Sequence, residues 1–254
     1  MTKDTTRQWA NLVGAVLALA VNVLAVSLPL NGQDTGAISD RLAAYFVPAG
    51  YVFSIWGVIY LGWIAFVIYQ FLPSQKASPR LRRLGYVFAL SCVFNATWLF
   101  CWHYLQFGLS VVVMLILLGL LITSYVRLDV GRARVGRLER WCVDVPFSLY
   151  LGWITVATVA NISGFLFFIK WDGFGLAPEL WAVIMLAVAS LLGLVMAVSR
   201  RDSGYLLVLV WAFAGIAVAQ SRSQLVVTAA WIAAVVALAL ALVAATQRRL
   251  PSRG

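Results

Sequence analysis

The stretch GYVFSIWGVIYLGWIAFVIYQFL, Gly50–Leu72, decides the fold. It exceeds the roughly 20 apolar residues that an α-helix needs to cross the hydrocarbon core, and no charge interrupts it. Its apolar character is continuous rather than alternating, which excludes a barrel strand with lipid on one face and a polar lumen on the other. Other uncharged runs meet or approach the same length at Ala10–Leu30, Leu84–Leu105, Phe107–Val126, Val145–Ile169, Leu180–Ser199, Gly204–Ser221 and Ser223–Gln247. The expected fold is therefore an all-α integral membrane protein of about eight transmembrane helices. Gly204–Ser221 is the shortest run and carries Gly204 and Gly215. Composition agrees: 63% of the 254 residues are hydrophobic and 11% charged, with a mean hydropathy of +0.93. That is too little charge to cover a water-soluble domain.

The net charge of +10 would suggest nucleic acid in a soluble protein, but its distribution has a simpler cause. With the N-terminus in the cytoplasm, sixteen of the 19 lysines and arginines fall on the cytoplasmic side, and only Arg41, Lys170 and Arg222 on the other. This positive-inside asymmetry exists only if all eight runs span, because deleting the seventh would set Arg200–Arg201 and the C-terminal arginines on opposite sides. Both termini are expected in the cytoplasm, in a bacterial inner or plasma membrane, with anionic head groups rather than nucleic acid as the basic partner. Lys3 and Arg7 ahead of the first run allow a signal-peptide reading. The length of the run, Trp9 at its start and the missing small-residue cleavage site argue for a retained helix.

Two loops outside are long enough to matter. In Asn31–Val47, the sequence Ser39-Asp40-Arg41-Leu42 reads as a helix start capped by Ser39, over the bundle. In Phe168–Ala177, Lys170-Trp171-Asp172-Gly173 reads as a turn.

A polar group inside a bilayer is costly without a partner, so each one is a candidate for function. In three spans such groups join tryptophans at helical spacing. Phe53, Trp56, Tyr60 and Trp63 share a face of the second, and Asn95, Trp98 and Trp102 a face of the third. Trp153, Ala157 and Asn161 share one of the fifth, with Tyr150 just before them. Converging stripes would line a pocket for a flat, mostly apolar ligand with few polar handles. Interhelical packing accounts for the same pattern.

Other chemistry is thin. Cys92, Cys101 and Cys142 lack metal-ligand spacing and read as small hydrophobes. The single histidine, His103, reads as interfacial; no second histidine exists to complete a bis-histidine haem site. Asp144, at the edge of a span, has Arg140 one turn away and reads as half of a helix-surface ion pair. No span holds a lysine for a retinal Schiff base. No catalytic constellation, metal site or obligatory cofactor is expected.

The three stripes resemble the tryptophan-rich sensory protein family, also called translocator protein or peripheral benzodiazepine receptor (TspO/MBR). Pro48 leading to Trp56 and Tyr60 is similar to its second helix, Phe94-Asn95-Ala-Thr-Trp98 to its third-helix Asn-x-x-Trp signature, and Trp153-x-x-x-Ala157-x-x-x-Asn161 to its fifth. The chain departs from the family at Gly50, where a further Trp is common, and in the distance from Pro146 to Trp153. The resemblance covers roughly residues 8–169 and implies a TspO-like five-helix core, residues 1–173, enclosing a cavity below the first external loop. Residues 174–254 would be an appended three-helix segment with a basic tail.

It further implies a membrane receptor or sensor for a tetrapyrrole (porphyrin or haem) or sterol-like ligand, and often a homodimer. A transporter of such a ligand is the second reading, and an enzyme degrading bound porphyrin the third. Carried over by position, the ligand-binding residues are Trp56, Tyr60, Asn95, Trp98, Trp153, Ala157 and Asn161.

Overall fold

In the computed structural model, residues 3–249 are described, except 29, 34 and 43. The basic tail beyond Arg249, with Arg253, lies outside them. Eight long helices carry the chain: α1 (Lys3–Ser27), α2 (Ile55–Gln70), α3 (Val87–His103), α4 (Phe107–Arg127), α5 (Val145–Phe168), α6 (Pro178–Arg200), α7 (Ser203–Ala219) and α8 (Gln224–Arg249). Six of these, with the 3₁₀ turn Gly50–Ser54 counted into the second, are long and apolar enough to cross a membrane; α3 and α7 are shorter. All eight expected runs are helical, and the described residues include no strand.

The ends of the runs move for identifiable reasons. Gly85, at φ 63°, separates the short helix Pro79–Leu84 from α3, so the third span begins later than its apolar run. Pro146 lacks an N–H to offer the preceding turn. The chain answers with a π-helical turn, Arg140–Asp144, directly before α5.

The principal neighbours of the first five helices close a ring: α1 packs on α2 and α3, α3 on α4, α4 on α5, and α5 on α2. The last three helices extend it from one side. α7 lies against α5, and α6 and α8 pack on α7 and on each other. One hydrophobic core runs through both parts, from Ala15 through Trp63 and Trp153 to Phe213 and Ala237. Large apolar side chains such as Val26, Leu61, Leu191 and Ile232 stand exposed on the outside, as lipid-facing residues do.

Close backbone approach is built from small residues. A side chain at Gly152 would press on the Tyr205 carbonyl and Val208 of α7, and one at Gly14 on the Ala89 backbone of α3.

Two local expectations need correction. Asp144 makes its salt bridge with Arg80 from the α2–α3 connection, not with Arg140. Its side chain turns into the bundle, where an exposed Arg140 cannot follow, and buried Arg80 also bonds Glu139 (2.8 Å) and the Leu128 carbonyl (2.6 Å). The loop helix over the bundle exists, but it starts at Thr35 and runs to Arg41. Ser39 is therefore buried inside it and caps nothing. The turn at Asp172 is as expected, its carboxylate accepting the Phe174 N–H at 3.1 Å.

Candidate ligand-binding site

Helices α1, α2 and α3 meet the loop helix Thr35–Arg41 around a cavity of about 670 Å³. This is within the range of about 300–1,000 Å³ usual for small-molecule sites. The three-or-four spacing of the second-span stripe sets Phe53, Trp56 and Tyr60 on one wall, and Trp98 faces them from α3. Trp56 and Tyr60 stack, with ring centroids 5.6 Å apart and planes 24° from parallel. Polar points are few: Asn22 and Ser27 from α1, and Thr35 and Asp40 from the loop helix.

Behind this cavity lies a recess with room for about one water molecule, roughly 30 Å³. Trp56 and Trp98 border both spaces, while Trp153, Ala157 and Asn161 line only the recess. Trp153 is 2% exposed, and its indole Nε1 has no hydrogen-bond partner. Phe53 and Trp56 meet its ring edge to face at 5.7 and 6.3 Å. Trp63 Nε1, Asn95 Nδ2 and the Tyr150 hydroxyl are also buried without a partner, but of these residues only Trp153 borders the recess.

Of the seven residues singled out from the sequence, six thus border one or both of the two neighbouring spaces. Asn95 does not. It is fully buried beneath Tyr60, accepting from Asn22 Nδ2 at 2.8 Å, while the Tyr60 hydroxyl donates to Asn22 Oδ1 at 2.5 Å. Three helices are joined there, at the edge of the cavity that Asn22 and Tyr60 line. Asn161 is engaged as well: its Oδ1 accepts from Trp98 Nε1 (2.9 Å) and its Nδ2 donates to Ser110 Oγ on α4 (2.9 Å).

His103 is corrected from interfacial to fully buried, because the α1–α2 loop folds down over the end of α3. The Leu30 carbonyl can only accept, so Nδ1 carries the proton toward it (3.2 Å), and Nε2 accepts from Thr35 Oγ (2.8 Å). Trp102 Nε1 donates to the Thr35 carbonyl at 3.2 Å, so two α3 side chains pin the start of the cavity roof.

Sequence reasoning passed over Asn22, although one amide in the middle of the apolar first run was a readable signal. Thr35 and Ser110 carried no comparable mark.

The motifs on the ring helices thus come together around the cavity and its neighbouring recess. The chain also matches the TSPO-like protein family over residues 8–243. It belongs to that family. The match continues through α6, α7 and most of α8, so family likeness is not confined to the ring of five helices. Comparison with curated proteins and with solved structures returns no match. Membership, together with the apolar spans, makes the chain an integral membrane protein of a family associated with hydrophobic ligands.

Proposed function

We propose that this TSPO-like protein is a membrane receptor or sensor that holds a flat hydrophobic ligand, of tetrapyrrole or sterol-like type, in the cavity beneath its loop helix. The observation that carries the reading is the cavity itself. About 670 Å³ is walled by Phe53, Trp56, Tyr60 and Trp98, with polar side chains at Asn22, Ser27, Thr35 and Asp40. Aromatic rings give a flat apolar ligand a large surface at little conformational cost, and a few fixed polar groups orient it. The unpartnered Trp153 Nε1 supplies one more donor, suited to a carbonyl or carboxylate edge reaching the recess. The bonds of Asn22 to Asn95 and Tyr60 tie three helices together at the cavity wall, which favours a fixed site that holds a ligand.

Titration with protoporphyrin IX, followed by quenching of tryptophan fluorescence, tests this. The wild type is expected to saturate in the micromolar range, and a Trp98→Phe, Trp153→Phe protein to bind at least about threefold more weakly. Equal and non-saturating quenching in both would mean partition into detergent and would sink the proposal.

A further inference from the structure

The wall made by Phe53 and Trp56 does not stand on the ring helices alone. Ahead of it runs Ala44–Val52, a stretch between the loop helix and α2 that belongs to no long helix. α7 and its C-cap residue Gln220 hold this stretch at three levels. Trp211 Nε1 donates to the Val52 carbonyl at 3.0 Å, and the indole also meets the Tyr51 ring edge to face at 5.5 Å. The Ala49 N–H donates to the Gly215 carbonyl at 3.1 Å. Gln220 Nε2 donates to the carbonyls of Val47 (3.0 Å) and Ala44 (3.4 Å).

Gly215 is what lets the two backbones approach. A Cβ there would run into the side chain of Val52, which is fully buried. Beyond the end of α7, the Arg222 guanidinium lies 4.3 Å over the Tyr45 ring. Each of these contacts fixes loop backbone, or the ring beside it, against the last three helices. The residues so fixed run directly into Gly50 and Phe53, which face the cavity.

From this we infer that α7 is the positioning element of the cavity: Trp211, Gly215 and Gln220 set where Phe53 and Trp56 stand, and so which ligand shape fits. The inference rests on reading that cavity as the ligand site. It gives the last three helices a part in recognition although none of their residues lines the cavity. Aromatic walls bind through close contact, so a displacement of an ångström is costly.

The test is an absorbance titration of the full-length protein with protoporphyrin IX, read at the porphyrin Soret band. Wild type, Gly215→Ala, Val52→Ala, the pair together and Trp98→Phe are compared. Gly215→Ala is expected to weaken binding about tenfold by pushing Val52 and the wall behind it. Adding Val52→Ala removes the collision and should return affinity to within about threefold of wild type, with helical circular dichroism unchanged throughout. A folded Gly215→Ala protein that binds like wild type, or a loss that Val52→Ala does not rescue, overturns the inference. Trp98→Phe separates the two readings: if it alone leaves affinity intact, it is the cavity assignment that falls. Should Gly215→Ala fail to fold, Trp211→Phe with Gln220→Leu removes the donors without adding bulk. Unchanged affinity in that protein overturns the inference equally.

Discussion

Inside a bilayer a side-chain amide has no water to turn to, and Asn22, Asn95 and Asn161 accordingly spend their bonds across helices. Asn22 joins α1 to Asn95 of α3 and Tyr60 of α2, and Asn161 joins α5 to Trp98 of α3 and Ser110 of α4. A single interhelical hydrogen bond in a membrane contributes only about 0.6 kcal/mol on average. Stranding a buried partner costs more, about 1–3 kcal/mol. Asn22→Leu leaves both the Tyr60 hydroxyl and the Asn95 carbonyl without that partner, so a destabilisation of about 1–2 kcal/mol is expected in thermal unfolding. The loss should shrink when Tyr60→Phe is already present, since one stranded group is then gone. Strictly additive effects would show that the two side chains are not coupled as the structure has them.

At the scale of elements, α7 is fastened at its start as well as along its length. Asp202 caps it, accepting the N–H groups of Gly204 (3.0 Å) and Tyr205 (3.2 Å) on one oxygen. The other oxygen takes the hydroxyls of Tyr125 on α4 and Ser148 on α5, both at 2.6 Å. One carboxylate, 1% exposed, thus ties the seventh helix to two helices of the ring. Asp202→Ala removes the cap and deserts two buried hydroxyls, with an expected cost of about 2–3 kcal/mol. Asp202→Asn keeps a capping oxygen, and its amide can donate to the hydroxyls in return, so it should cost less than half as much. Comparing melting temperatures in one detergent decides it, and equal losses in the two variants would count against the double role. Asp202 sits in the short charged connection between α6 and α7, where the sequence offers a polar connector and nothing of a buried anchor.

For the molecule as a whole, the question is whether the ring of five helices is complete without the other three. Gly152 of α5 takes the backbone of α7 at close range, and the hydrophobic core is continuous between them. A chain ending at Gly173 would leave that face of α5 to lipid, along with the Ser148 hydroxyl and the segment Ala44–Val52. Such a protein is expected to melt roughly 10 °C or more below the full chain, as a loss of several kcal/mol would require at this size. Gel filtration after stepwise heating measures it. Identical melting would make the ring self-sufficient and the last three helices an addition without a structural role.

The eight apolar runs, their order and the three aromatic stripes could be read from the sequence because they are local. A span is a matter of uninterrupted hydropathy, and a helix face a matter of three-or-four spacing. That Trp56, Tyr60 and Trp98 would border a common space followed from those stripes and from family likeness. The partner of Asp144, the burial of His103, the bond of Asn95 to Asn22 and the grip of α7 on Ala44–Val52 could not be read in the same way. Each depends on which helices become neighbours, and the packing of shapes and small residues decides that across separations such as the 64 residues from Arg80 to Asp144. Hydropathy therefore marked the apolar runs that become the long helices, and tertiary contact alone settled which polar groups meet between them, because a buried polar group bonds whatever the fold brings within reach.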